Sequence, residues 1–186
     1  MLNYSKVHNR FKYNGLHYTR DNLKHLGSSL IKEGSDFDNQ IGAFILDWID
    51  NKSFVVVNSS GSTGKPKSIK VLKSHMVNSA IATGDFFKLE PGDNALLCLP
   101  ANYIAGKMML IRAIILGLEL DVISPSLEDL NCNKFYSFAA VVPMQLEKLI
   151  KFPHNISTII VGGAPVSNRI KQKLFDFKFE VFETYG

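Results

Sequence analysis

The run Ser59-Ser60-Gly61-Ser62-Thr63-Gly64-Lys65-Pro66-Lys67 holds the residue types that bind phosphate. Glycines and small hydroxyl residues let a backbone pass close to an oxyanion and offer it N–H and O–H donors. Two lysines add charge that can follow a phosphate. The run directly follows Phe54-Val55-Val56-Val57-Asn58, which reads as a buried parallel strand. Two common phosphate loops are excluded. A P-loop needs a glycine, four residues and then Gly-Lys-Ser/Thr, whereas Gly64-Lys65 is followed by Pro66 and Ser59 takes the first glycine's place. The dinucleotide pattern Gly-x-Gly-x-x-Gly also fails, because Gly61 and Gly64 have no third glycine in position. The plain alternative is a Ser/Gly/Lys-rich surface loop between two strands.

The elements around the loop alternate. Ahead of it, residues 21–33 form a weak amphipathic helix ended by Gly34. Residues 37–49 form a stronger one, with Phe37, Ile41, Phe44, Ile45 and Trp48 on one face as core packing. Behind it, strands are predicted at 69–72, 95–99, 120–123, 138–142, 157–161 and 180–184. Helices are predicted from a Ser74 cap to 87, at 104–116 ending in Gly117, from Pro143 to 151, and from a Ser167 cap to 175. Apolar strands alternating with helices define an α/β fold with mainly parallel sheets flanked by helices. Residues 1–53 read as a helical lead and residues 54–186 as the partial domain that carries the chemistry. The chain stops just after a strand, which reads as an interruption.

Composition narrows the function classes. At 186 residues the chain suits one domain with a sizeable core. Its 46% hydrophobic and 20% charged content fits a soluble globular protein. The net charge of +4 gathers at Lys65, Lys67, Lys70 and Lys73, beside the proposed loop, without a nucleic-acid module. Small anionic ligands fit better than nucleic acid. Cys98 and Cys132 lack metal-ligand spacing and read as reduced thiols of a cytoplasmic protein, and no metal ligand is assigned. The N-terminus lacks a signal-peptide core. The apolar run 108–118 holds Arg112 and is too short to span a bilayer, so it reads as a buried helix.

Three further segments bear on chemistry. Gly162-Gly163-Ala164-Pro165 follows the strand Ile159-Ile160-Val161 and would let a flat ring or ribose approach the backbone, although Gly-Gly-x-Pro is also an ordinary turn. Leu99-Pro100-Ala101-Asn102-Tyr103-Ile104-Ala105-Gly106-Lys107-Met108-Met109 joins a strand to a helix, and Glu183-Thr184-Tyr185-Gly186 ends the chain. With the loop at 59–67, these segments resemble the acyl-adenylate-forming (AMP-binding) superfamily. All nine loop positions match that family's signature of two small residues, Gly, Ser/Thr, Thr, Gly, any residue, Pro, Lys. The continuation Ala105-Gly106-Lys107-Met108-Met109 with Arg112 resembles the o-succinylbenzoate–CoA ligase branch, which acts in menaquinone synthesis.

The resemblance implies a two-step ligase. ATP and a carboxylic acid give an acyl-adenylate and pyrophosphate, and CoA then displaces AMP as a thioester. Mg²⁺ accompanies the phosphates. It implies that Ser59, Ser60, Gly61, Ser62, Thr63, Gly64, Lys65 and Lys67 bind the nucleotide, with Thr63 and Lys67 acting in the reaction. Gly162, Gly163, Ala164, Pro165, Tyr185 and Gly186 would border the adenylate, and Tyr103, Gly106 and Lys107 the acyl side. For Lys107 and Arg112 a helix-surface charge is the other reading. His75 reads as structural or exposed. The family's threonine and metal-binding glutamate after Tyr-Gly are absent, as is its lysine-bearing C-terminal domain, so the chain alone is expected to be inactive or nearly so. A non-catalytic nucleotide- or acyl-binding remnant is the second reading. A phosphotransferase is the third, and it lacks a carboxylate behind the loop. Composition leaves the oligomeric state open.

Overall fold

The computed structural model describes residues 6–58, 68–175, 177 and 179–184. The loop residues Ser59, Ser60, Gly61, Ser62, Thr63, Gly64, Lys65 and Lys67, and the terminal Tyr185 and Gly186, lie outside the described residues.

Two short strands come first, β1 (Lys12–Tyr13) and β2 (Leu16–His17), joined by Asn14-Gly15 with φ of 47° and 79°. Asn-Gly favours this hairpin because both central residues need positive φ. The sequence reading passed over it. Helices α1 (Arg20–Glu33) and α2 (Asp36–Ile49) then pack as a hairpin. Ser35 starts α2 by accepting the Asp38 N–H while the Asp38 carboxylate accepts the Ser35 N–H at 3.0 Å. A Cβ on Gly42 would lie 2.5 Å from the Gly27 carbonyl oxygen, so the two backbones meet directly.

Strands β3 (Phe54–Asn58) and β4 (Ser68–Leu72) form a separate antiparallel pair, in register from Phe54↔Leu72 to Asn58↔Ser68. This corrects the expectation of a buried parallel strand at 54–58. Val55 and Val57 are buried, but Val56 is 47% exposed, so only one face is covered. A valine run shows β propensity without showing how many faces are buried. The segment between the two strands is short, and a parallel return needs a crossover of about a dozen residues or more.

Alternation then sets in: α3 (Lys73–Phe87), β5 (Asn94–Leu97), α4 (Ile104–Leu116), β6 (Glu119–Val122), β7 (Tyr136–Val141), α5 (Pro143–Leu149), β8 (Ile156–Val161), α6 (Asn168–Leu174) and β9 (Glu180–Glu183). Helix α3 begins one residue ahead of the expected Ser74 cap, with Leu72 as its N-cap residue and Lys73 buried in its first turn. The sheet order is β2-β1-β6-β5-β7-β8-β9, and every pair but β1–β2 is parallel. Helices cover both faces. Leu97, Phe138, Ala140 and Ile160 belong to the core that also takes in Leu23, Trp48, Met76 and Ile111. Leu96, Ala139, Val141, Ile159 and Val161 pack with Leu146, Leu149 and Ile170 of α5 and α6. Neighbouring residues on a strand face opposite ways, so burial on both sides demands unbroken apolar runs.

From β5 the chain passes through α4 to β6 on one side, then returns to place β7 on the other side of β5. Loops diverge at such a reversal, and the carboxyl ends of the strands there frame a crevice.

Candidate functional site

Strands β5, β7, β8 and β9 are parallel, so the loops that leave them open at one edge of the sheet. After β5 the chain turns at Pro100, whose carbonyl accepts the Tyr103 N–H at 3.2 Å. Tyr103 then stands at the start of α4, 53% exposed. Gly106 lies under that turn. A Cβ there would lie 2.6 Å from the Leu99 carbonyl oxygen and collide with the Pro100 carbonyl, so a side chain would push α4 off the loop.

Lys107 lies neither on the helix surface nor open to a ligand. It is buried, and its Nζ donates to the Ala101 carbonyl and sits 4.9 Å from the centroid of the Phe44 ring. Burial lowers its pKa, partly offset by Asp47. The side chain ties α4 to the loop after β5 and braces α2.

Arg112 also departs from the surface reading. Its Nε donates to Thr83 Oγ1 at 3.2 Å, one terminal nitrogen faces Met109 Sδ at 3.7 Å, and the guanidinium carbon is 5.9 Å from the Phe138 ring centroid. Burial pushes its pKa down to about 10, which still leaves it charged at neutral pH. Among the described residues no carboxylate forms an ion pair with it. Phe138 meets Phe87 at 5.2 Å, and Phe87 meets Phe182 at 5.0 Å, so an aromatic wall runs from this cation towards the end of β9.

The two glycines after β8 differ in purpose. Gly162 donates its N–H to the Val141 carbonyl at 3.1 Å, and a Cβ on it would lie 2.5 Å from Thr184 Oγ1. Gly163 has φ +83°, and a Cβ there would meet only Val142 Cγ1 at 3.5 Å, which leaves its outer side open to a flat group. Ala164 and Pro165 are exposed beside it. Sequence reasoning missed the residues that hold this loop. Thr184 donates through N and Oγ1 to the Val161 carbonyl at 2.8 and 3.2 Å. The Glu183 carboxylate accepts the Lys171 ammonium at 2.6 Å and the Val166 N–H at 3.0 Å, and these bonds hold its pKa below the usual carboxylate range. Their position just before Tyr185 was the available signal. Gly162→Ala is expected to cost about 1–3 kcal/mol through overpacking. Thr184→Ala in the same chain should recover most of it by removing the clashing hydroxyl, as urea unfolding of both variants would read.

The structure therefore brings Tyr103, Gly106, Gly162, Gly163, Ala164 and Pro165 to one edge. His75 is exposed on α3, and Cys98 and Cys132 are free thiols, the first buried and pushed up to about 12 by burial. Among the described residues, no three His, Cys, Asp or Glu side chains gather as a metal site, and no helix is long and apolar enough to cross a membrane.

A family model described as AMP-binding enzyme matches residues 21–186, reaching back into α1 ahead of the motif segments. A 2-succinylbenzoate–CoA ligase of Bacillus pumilus is 24% identical over 178 residues, covering 91% of this chain and 34% of the relative. The crystal structure of an acyl-CoA synthetase (AMP-forming)/AMP-acid ligase II-like protein from Dyadobacter fermentans matches with a TM-score of 0.75 at 33% identity, over 88% of this chain and 49% of that one. The o-succinylbenzoate coenzyme A synthetase of Bacillus subtilis, solved with ATP and magnesium ion, matches with a TM-score of 0.62 at 25% identity, over 70% of this chain and 29% of that one. The chain spans about a third of the length of the curated relatives it matches.

Proposed function

The chain belongs to the AMP-binding enzyme family, and we propose that it is part of an acid–thiol ligase that activates an aromatic keto-acid of the o-succinylbenzoate type with ATP, for transfer to CoA. The observation that carries this reading is Arg112, a half-buried cation without a carboxylate partner among the described residues, set against an aromatic wall. Such a cation calls for an anion, and the adjacent rings call for a flat apolar body. A benzoate offers both in one molecule. The B. pumilus and B. subtilis relatives bear the name of that activity, and the acid would belong to menaquinone synthesis.

On this reading the chain contributes binding, orientation and charge. A carboxylate must approach an α-phosphate that is already negative, so donors and cations have to offset the repulsion. Ser60, Ser62 and Thr63 would donate hydroxyls to the phosphates, and Lys65 and Lys67 would supply charge, with Thr63 and Lys67 closest to the reaction. Ser59, Gly61 and Gly64 would bring backbone N–H groups close. The open side of Gly163, with Gly162, Ala164 and Pro165 beside it, would border the adenine, as would Tyr185 and Gly186. Tyr103 would line the acyl side, Gly106 would let α4 close against its loop, and Lys107 would hold that loop through Ala101. Mg²⁺ would supply charge compensation at the phosphates. The described carboxylates form no cluster for it, so it would arrive with the nucleotide. Residues 54–186 would form the adenylation part, with 1–53 as its packed lead, in the cytoplasm.

Calorimetric titration with AMP and with a 2-succinylbenzoyl sulfamoyl-adenosine tests the reading. Both should bind, and Lys67→Ala should weaken the sulfamoyl compound roughly 10- to 100-fold, the range of a charge-assisted hydrogen bond. No binding of either ligand, or equal affinity in Lys67→Ala, would sink the proposal.

A further inference from the structure

Gln145, in the first turn of α5, is 4% exposed, and it holds three loops at once. Its Oε1 accepts the Val142 N–H at 3.0 Å, while Nε2 donates to the Cys98 carbonyl at 2.8 Å and to the Pro125 carbonyl at 3.0 Å. These groups belong to the segments leaving β7, β5 and β6 respectively. The amide orientation follows from its partners, since two carbonyls demand N–H groups and one N–H demands an oxygen. Val142 is the N-cap residue of α5, so the first bond is ordinary helix capping, which a glutamate serves as well as a glutamine. The other two bonds exceed what capping requires. They join the strands on either side of the point where the winding of the sheet reverses, and a carboxylate could not make them.

The segment that Gln145 holds at Cys98 runs on to Tyr103. It is fixed from the other side by the Gly106 packing and by Lys107 on the Ala101 carbonyl. We propose that Gln145 is a positioning residue for the acyl side of the site, setting the spacing between the loop that carries Tyr103 and the loops after β6 and β7. The inference rests on the ligase reading. It differs from a folding role in predicting that the acyl part of a ligand will feel Gln145 and the nucleotide part will not.

Gln145→Glu keeps the cap and turns both donor bonds into carboxylate–carbonyl repulsions. Gln145→Met keeps the volume and loses all three bonds. At pH 7.5 both variants should bind 2-succinylbenzoyl sulfamoyl-adenosine about 10-fold more weakly than the parent while binding AMP within about twofold of it. Near pH 5 the new carboxyl, held protonated by its buried carbonyl neighbours, can donate again to one carbonyl. Gln145→Glu should therefore recover part of its acyl affinity there, and Gln145→Met should not. Equal loss for AMP and the acyl compound, no loss for either, or recovery in both variants overturns the inference.

Amide hydrogen exchange keeps its failure apart from that of the ligase reading. If the parent binds neither ligand, the ligase reading fails. The positioning claim then stands or falls on the Tyr103 and Ile123 amides, which donate to the Pro100 and Leu97 carbonyls at 3.2 and 3.0 Å. Both should exchange about 10-fold faster in Gln145→Glu at pH 7.5, after correction for intrinsic rates, and should regain protection near pH 5. Unchanged protection overturns it.

Discussion

Asp50→Ala is expected to lower folding stability by about 3 kcal/mol, because it removes the carboxylate that meets the buried Lys73 ammonium. Lys73 has no exposed side-chain surface. Its Nζ donates to Asp50 Oδ1 at 2.7 Å and to the Asp50 carbonyl at 3.0 Å, and it lies 6.0 Å from the Trp48 ring centroid. The Lys73 N–H adds a bond to the Ser53 carbonyl at 2.8 Å. These contacts clamp the base of the β3–β4 hairpin, whose far end leads into residues 59–67, to the end of α2. Burial works against the ionised Asp50, but hydrogen bonds from Lys73 and Lys52 outweigh it and hold the pKa below the ordinary 3.8. A depressed carboxylate contributes fully above its unfolded-state value and loses that contribution as pH falls through the folded one. The deficit of Asp50→Ala should thus be full at pH 7 and shrink below about pH 3.8. Urea unfolding at both pH values checks it, and a deficit under about 1 kcal/mol at pH 7 would show the pair to be incidental. Asp50→Ala with Lys73→Met should recover much of the loss, since an apolar pair carries no desolvation penalty.

Arg112→Leu should separate binding from stability. Its guanidinium is charged and half-buried, and among the described residues it meets a hydroxyl, a thioether sulfur and the Phe138 ring but no carboxylate, so removing it relieves an uncompensated charge. Unfolding free energy should change by no more than about 1 kcal/mol in either direction. Affinity for 2-succinylbenzoyl sulfamoyl-adenosine should fall roughly 100-fold, the upper range for hydrogen bonds to a charged group. Arg112→Lys keeps the charge without the planar fork and should fall between the two. Calorimetry and urea unfolding of the same samples read both quantities. A large loss of stability with unchanged affinity would make Arg112 a packing residue and remove the main support for an aromatic acid.

The sheet was legible because its central strands have both faces covered, so the runs at β5, β7 and β8 are almost unbroken apolar residues. The helices were legible from Gly34, Pro143, Ser167 and Gly117 at their ends. Where one face is open the reading failed: the valines of β3 carry the same signal as a buried strand and pair antiparallel. Asn14-Gly15 announced a hairpin, but its strands are too short to leave an apolar pattern. Lysine and arginine mislead for a different reason. Their long apolar stems let Lys107 and Arg112 sit inside a helix packing face, and nothing in their spacing shows where the charged ends turn. Gln145 carried the least signal of all. Two residues after Pro143 it looks like an ordinary cap, and the carbonyls it meets are far off in sequence.

Strand β1 pairs with β6, and Lys12 reaches Glu119 at 2.7 Å across a sequence separation of 107 residues. During synthesis the α1–α2 hairpin can form as soon as it emerges, because its contacts are local. Strand β1 has no parallel neighbour until β6 has left the ribosome. For that interval β1 is an unsatisfied edge, open to pairing with another nascent chain. Its brevity and the Lys12 charge limit that hazard. Lys12 is thus fixed only once a partner 107 residues further along the chain has been made.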